Sequence, residues 1–206
     1  MRKTKILIVD DHAILRMGLI SLFNGLADLE VVGDAANGKD AISKALKLKP
    51  DVVIMDLMMP DMDGIMTTKA LVDVAPAIKI LVLTTLGTSD GIAHALEAGA
   101  LGAIMKSSDF RELADAVRAV AAGKRYISKE IRRILREDPP APPLSPRQMQ
   151  ILDCIVRGLS NPDISKALDI SVPMVAEHIT AIFQKLGVAN RAEAVTIALR
   201  KHLLKI

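Results

Sequence analysis

The sequence predicts an α/β unit built on a five-stranded, doubly wound parallel sheet, followed by a small all-helical unit. Three observations carry this. Short apolar runs alternate with helical patterns five times over residues 1–124. Each run is bounded by turn signals and lacks alternation, so it reads as a strand buried on both faces. Beyond residue 143 only helical periods remain, and Asp138-Pro139-Pro140-Ala141-Pro142-Pro143 separates the two regimes with a stiff, extended spacer.

The elements follow in order. Ile6-Leu7-Ile8-Val9 is a strand ending in Asp10-Asp11, and the helix after it places Ile14, Leu15, Leu19, Leu22 and Phe23 on one face. Residues 30–35 form a second strand and 39–48 a second helix. The third strand, Val52-Val53-Ile54-Met55, ends at Asp56, and Pro60, Asp61, Asp63 and Gly64 mark the turn into a helix over 64–74. Ile80 to Thr84 is the fourth strand, followed by a helix over 91–98. Ala103 to Met105 is the fifth, ending at Lys106, and a helix over 109–121 closes at Gly123. Strand–helix alternation with short links places helices on both faces of the sheet. The stretch 125–138 is charged, with Ile127, Ile131, Ile134 and Leu135 at the spacing of a short helix.

In the second unit, Ser145-Pro146-Arg147-Gln148 combines a cap, a first-position proline and a capping-box glutamine, starting a helix that stops at Gly158. Helices at about 160–168, 172–186 and 191–203 follow. The tight link Asp169-Ile170-Ser171 gives the middle pair helix-turn-helix proportions. The expected domains are therefore 1–124, a linker over 125–143, and 144–206.

Composition narrows the function classes. Half the 206 residues are hydrophobic but only 2% are aromatic, so the core is aliphatic and base-stacking platforms for single strands are not expected. A single cysteine, Cys154, excludes an internal disulfide framework and fits a reducing cytoplasm. The basic start is followed by an apolar run that stops at Val9, too short for a signal-peptide core, and no run is long enough to span a membrane. Residues 1–124 carry a net charge of −2 and residues 144–206 one of +3, which points the second unit toward polyanions.

Asp10, Asp11 and Asp56 end the first and third strands. In a sheet of flavodoxin-like order these strands are neighbours at the crossing point where ligands bind. Three carboxylates so close repel unless a cation joins them, and an all-oxygen ligand set points to Mg2+ rather than zinc. Thr84 and Lys106 end the fourth and fifth strands on the same edge. A cation, an ammonium and a hydroxyl around one forward carboxylate form a clamp for a phosphoryl group. Asp56 is then the nucleophile, taking the phosphoryl as an acyl phosphate.

Asp10-Asp11, Asp56 with Met59-Pro60 and Asp63-Gly64, Thr84 and Lys106 resemble the signature of response-regulator receiver domains, over residues 5 to about 122. The resemblance implies phosphorylation of Asp56 by a histidine kinase or a small phosphodonor. It also implies that Asp10, Asp11, Asp56 and the backbone carbonyl of Met58 surround Mg2+, with Lys106 and Thr84 on the phosphoryl oxygens. Two positions depart from it: Ala103 stands where receivers carry an aromatic residue coupled to the threonine, and Ser107 stands where many have a proline after a cis bond. A cis bond to serine would cost about 2.5–4 kcal/mol, so a trans bond is expected.

Residues 144–203 resemble the LuxR-type helix-turn-helix, and the whole chain resembles NarL/FixJ transcriptional regulators. The resemblance rests on Leu144-Ser145-Pro146-Arg147, Ile151-Leu152, Gly158, Ser160-Asn161, Ile164, Ser171, Val175, His178, Ile182, Lys185-Leu186-Gly187-Val188, Arg191 and Ala194. It implies a homodimer on activation that binds double-stranded DNA, with the third helix of the unit in the major groove. Met174-Val175-Ala176, followed by Glu177, replaces the usual Thr-Val-Lys, removing a basic contact. The remaining DNA-binding candidates are Ser160, Asn161, Lys166, His178, Thr180, Gln184, Lys185 and Arg191. This face predicts weak DNA binding, or binding only after phosphorylation-driven dimerisation; a dimerisation or protein-binding module with little DNA affinity is the alternative.

Plainer readings stand beside these. An isolated Asp-Asp pair is more often a helix cap, an isolated strand-end lysine is a solvated one, and the site rests on the constellation. Asp61-Met62-Asp63-Gly64 is a capping turn rather than a calcium loop, since Val72 sits where the bidentate glutamate would. His12, His94 and His202 lack ligand spacing and read as surface residues, and His178 on an apolar face reads as packed. Cys154 reads as core, and Met55, Met58, Met59, Met62 and Met66 as filling under the Asp56 loop. A small-molecule phosphatase is disfavoured because Met58 sits where a second acid would be needed. No metabolic catalysis is expected beyond self-phosphorylation and autodephosphorylation.

Overall fold

The computed structural model describes residues 2–85, 89–201 and 203–204. The chain divides into two units, Met1–Asp138 and Pro139–Ile206.

The first unit alternates strand and helix: β1 Thr4–Val9, α1 Ala13–Asn24, β2 Leu29–Ala35, α2 Gly38–Leu48, β3 Val52–Asp56, α3 Gly64–Val74, β4 Lys79–Thr84, α4 Ser89–Glu97, β5 Gly102–Met105 and α5 Phe110–Ala121. Then come β6 Tyr126–Ile127 and α6 Lys129–Glu137. All strands pair in parallel, in the order β2-β1-β3-β4-β5-β6. Side chains alternate between the two faces, and each face has its own core. Leu7, Val9, Val53, Met55, Ile80 and Val82 share one with α2, α3 and α4; Ile6, Ile8, Val52, Ile54, Leu81 and Leu83 share the other with α1 and α5. Continuous apolar runs are what such a doubly covered sheet requires.

The sheet has six strands where five were expected. Tyr126-Ile127 is too short to show a period, and it becomes a strand only by pairing with Gly102 and Ala103. A Cβ on Gly102 would lie 2.6 Å from the Tyr126 carbonyl oxygen, so glycine is what lets β6 approach. The short helix expected within 125–138 is α6, and it packs onto the first unit. Ile131 is fully buried in the first unit's core, with Ile127, Ile134 and Leu135 packed against it.

Two further expectations change. The buried stripe of α1 is Leu15, Leu19 and Phe23, four residues apart, whereas Ile14 is 88% exposed and Leu22 is also exposed. Among the methionines Met55 and Met59 are buried, while Met58 and Met66 are exposed, so only part of that group is filling. No described peptide bond is cis, including that to Ser107.

The second unit holds α7 Pro146–Val156, α8 Asn161–Leu168, α9 Val172–Leu186 and α10 Arg191–Arg200. Ser145 and Gln148 form the expected capping box, and Ser160, Ser171 and Asn190 cap the next three helices. Asp169, in the left-handed region at φ 51°, turns the chain between α8 and α9. Ile151, Leu152, Ile155, Ile164, Val175, Ile182 and Ala198 form the core, with Cys154 buried among them. The proline segment belongs to this unit. The carbonyls of Pro139 and Pro143 accept hydrogen bonds of 2.9 Å from the ammonium groups of Lys201 and Lys185. No described helix is long and apolar enough to cross a membrane.

Candidate functional site

β1, β3, β4 and β5 run parallel, so the residues at their carboxyl ends come to one edge of the sheet. The β1–β3 pairing sets Val9 beside Met55, which brings Asp10 level with Asp56. Thr84 pairs with Met105 at the other side, and the Lys106 amide donates to the Thr84 carbonyl at 2.6 Å. The edge thus gathers Asp10, Asp56, Thr84 and Lys106 from four strands.

The Lys106 ammonium donates to Asp56 Oδ2 at 2.8 Å and lies 2.6 Å from Asp10 Oδ2. That second contact is an ion pair without hydrogen-bond alignment, and Asp10 Oδ2 is otherwise unpartnered. The side chains are 2%, 1% and 7% exposed for Asp10, Asp56 and Lys106. Burial pushes the Asp56 carboxyl above the usual aspartate range, and the Lys106 hydrogen bond and charge offset only part of this. Burial also pulls Lys106 down, but the carboxylates of Asp10 and Asp56 against its ammonium outweigh it and leave the lysine raised. Lys106 is therefore the fixed positive charge of the pocket. Thr84 is fully buried, and its Oγ1 has no hydrogen-bond partner among the described residues.

Asp11 is exposed beside them. His12 joins the group against expectation: its Nδ1 lies 2.7 Å from Asp11 Oδ1 and 3.2 Å from Asp10 Oδ1. One ligand atom from each of Asp10, Asp11, His12 and Asp56 lies within 4.8 Å of the others. Three carboxylates suit a hard divalent cation; the imidazole is the softer donor and is 69% exposed. Arg16 also escaped the sequence reading. It donates to the Asp10 carbonyl at 2.6 Å and to Asp34 at 2.9 Å, anchoring the strand end from α1. Its spacing from Asp10, one turn into the next helix, is the only signal that could have found it.

The turn after Asp56 is tightly specified. Asp56 Oδ1 accepts from the Met58 amide at 3.2 Å, Asp61 is left-handed at φ 63°, and Asp63 caps α3 through the Met66 amide. Met58 itself is exposed.

In the second unit the candidates divide. Thr180, Gln184, Lys166 and Ser160 are exposed, Asn161 and His178 half-buried. Lys185 spends its ammonium on the Pro143 carbonyl and Gln148 Oε1, and Arg191 donates to the Leu159 carbonyl. Ser160 Oγ donates to Asp163, which that bond holds below the usual carboxylate range. The exposed face of α9 carries Met174, Ala176, Glu177, Thr180 and Gln184, with no basic residue before Lys185.

Comparison with known proteins decides the family. Residues 6–118 match the response regulator receiver domain, and residues 142–198 match the bacterial regulatory proteins of the luxR family. The chain is 37% identical over 206 residues to the response regulator protein VraR of Staphylococcus aureus, covering 98% of this chain and 99% of that protein. The chain belongs to the response-regulator family. Among solved structures, this response regulator is similar to ChrA of a heme-sensing two-component system, with 36% identity, 99% and 100% of the two chains covered and a TM-score of 0.59. It is also similar to RcsB from Salmonella enterica serovar Typhimurium, a structure bound to the promoter P1flhDC with a phosphomimetic. There the identity is 26%, with 95% and 98% covered and a TM-score of 0.72. The response regulator thus joins a receiver domain to a LuxR-type helix-turn-helix DNA-binding domain, the make-up of a two-component transcription regulator.

Proposed function

We propose that this response regulator takes a phosphoryl group on Asp56 and uses it to control how the helix-turn-helix unit engages double-stranded DNA. The observation that carries the reading is the buried Lys106 ammonium between Asp10 and Asp56, with the unpartnered Thr84 hydroxyl on the same edge. An Asp56 oxygen attacks the phosphorus of the donor, a histidine kinase or a small acyl phosphate, while the donor's bond to phosphorus breaks. Lys106 serves twice: its charge favours the anionic, nucleophilic form of Asp56, and it then pairs with a phosphoryl oxygen. The Thr84 hydroxyl donates to another. Asp10, Asp11, Asp56 and the Met58 carbonyl would hold Mg2+, which neutralises charge on the transferring oxygens. The domain division proposed is a receiver to residue 124, a connecting segment and an output domain from 144, working in the cytoplasm as a homodimer once activated.

On DNA, α9 would enter the major groove, with Ser160, Asn161 and Lys166 of α8 near the backbone and Thr180 and Gln184 facing bases. His178, Lys185 and Arg191 complete the contact set; the last two must first release or share their carbonyl partners. Glu177 and the missing lysine at Ala176 favour weak binding by the single chain. Binding of the full chain to a pooled duplex library, titrated with salt, tests this. We expect sequence-selective retention only with Mg2+ and a phosphodonor, with a shallow salt dependence of each bound copy because few phosphates are neutralised. Tight binding by the unphosphorylated monomer contradicts the control. Absence of retention under all conditions favours the dimerisation or protein-binding alternative that the α9 face also allows.

A further inference from the structure

Helix α9 presents a mostly apolar outer surface. Val175 and Ile182 are buried in the second unit's core, with Ile179, Phe183 and Leu186 packed on the same cluster. Away from that side lie Met174, Glu177, Thr180 and Gln184, at steps of three or four residues, and all are exposed. In the first turn Val172 is 42% exposed and Met174 45%. The Thr180 hydroxyl donates to the Ala176 carbonyl at 3.0 Å. Its donor is spent within the helix, and what Thr180 adds to the surface is chiefly a methyl group. Glu177 is the one carboxylate of α9, and among the described residues it has no hydrogen bond or ion pair. The helix's one lysine, Lys185, is already bonded to Pro143 and Gln148.

We infer that α9 selects thymines through their methyl groups and sets Glu177 on a cytosine, so that the operator half-site is read by apolar contact and one carboxylate. The inference rests on the proposed entry of α9 into the major groove. In that groove the base edges are polar, and the thymine methyl is the apolar feature among them. A guanine edge set against Met174 or Ala176 loses its water and gains no partner. A thymine methyl there gives up no hydrogen bond and buries apolar surface. Glu177 reads in the opposite sense. Its carboxylate accepts from the cytosine amino group, whereas guanine presents two acceptors that repel it, and adenine sets an acceptor beside its amino group. Arginine and lysine, the common readers of guanine, are absent from this face. The missing basic residues therefore change which bases are read as well as how tightly DNA is held.

Selection of duplexes from a random pool by the full chain, with Mg2+ and acetyl phosphate, tests this. Retained half-sites should be rich in thymine and carry a fixed cytosine. Replacing the thymines of a retained half-site by deoxyuridine, one at a time, removes a methyl group and keeps the base pair. Affinity should fall about fourfold for each methyl that α9 covers, the worth of one buried carbon. That ratio should hold as salt is raised, since no phosphate contact is altered. With Met174→Ala, deoxyuridine should cease to matter at one of those positions. Glu177→Gln should shift the cytosine position toward adenine, which a glutamine amide matches, by roughly 5- to 150-fold. Both side chains are exposed, so the fold of the unit is spared. Retention indifferent to deoxyuridine, or a cytosine still preferred by Glu177→Gln, overturns this inference and leaves DNA control standing. Absence of any retained duplex overturns both.

Discussion

Lys106→Met is expected to cost the receiver about 3–5 kcal/mol in metal-free buffer, the penalty for stranding buried charge. The substitution keeps the length of the side chain and removes the one cation between Asp10 and Asp56, both of which are almost wholly buried. Domains of this size are stable by only about 5–15 kcal/mol, so the loss is a large share of the total. Denaturant melts should show it directly. Millimolar Mg2+ should restore most of it in the variant, because a cation at the carboxylates replaces the missing charge. Native-like stability of the variant without Mg2+ would mean that the carboxylates do not depend on Lys106.

Gly64→Ala is expected to lose about 2–3 kcal/mol, at the upper end of ordinary overpacking. A Cβ there would lie 2.1 Å from the Asp56 carbonyl oxygen and 2.8 Å from Leu57 Cα. These are backbone atoms and cannot rotate aside. The start of α3 must back away, stretching the 3.1 Å hydrogen bond from the Gly64 amide to the Leu57 carbonyl, and Asp56 is displaced with it. Phosphate uptake should therefore fall along with stability. Gly18→Ala is the control: that site in α1 has open space around the added carbon and should gain up to about 1 kcal/mol from helix propensity. Equal melting curves for the two variants would contradict the close approach.

Much of this was legible because each site residue ends an apolar run. Strands buried on both faces cannot hide their carboxyl-terminal residues, so Asp10, Asp56, Thr84 and Lys106 were placed on one edge by the alternation alone. β6 was not legible, since two residues carry no period and only the glycine beneath them admits the pairing. The docking of α6 was hidden for a related reason: its apolar spacing was visible, but nothing local says which surface it covers. Ile14 and Leu22 were misplaced because an apolar residue beside a stripe looks like part of it until the helix is docked. Lys185 and Arg191 looked available for DNA because the carbonyls they bond, at Pro143 and Leu159, lie 42 and 32 residues away in the chain. His12 was set aside as a surface residue, and it is one, yet its ring turns back onto Asp11.

The most direct test of the account is the intact mass of the chain after incubation with Mg2+ and acetyl phosphate, native beside Asp56→Asn. One added phosphate is expected on the native chain and none on the variant. Equal uptake by Asp56→Asn, or none by the native chain, would contradict it.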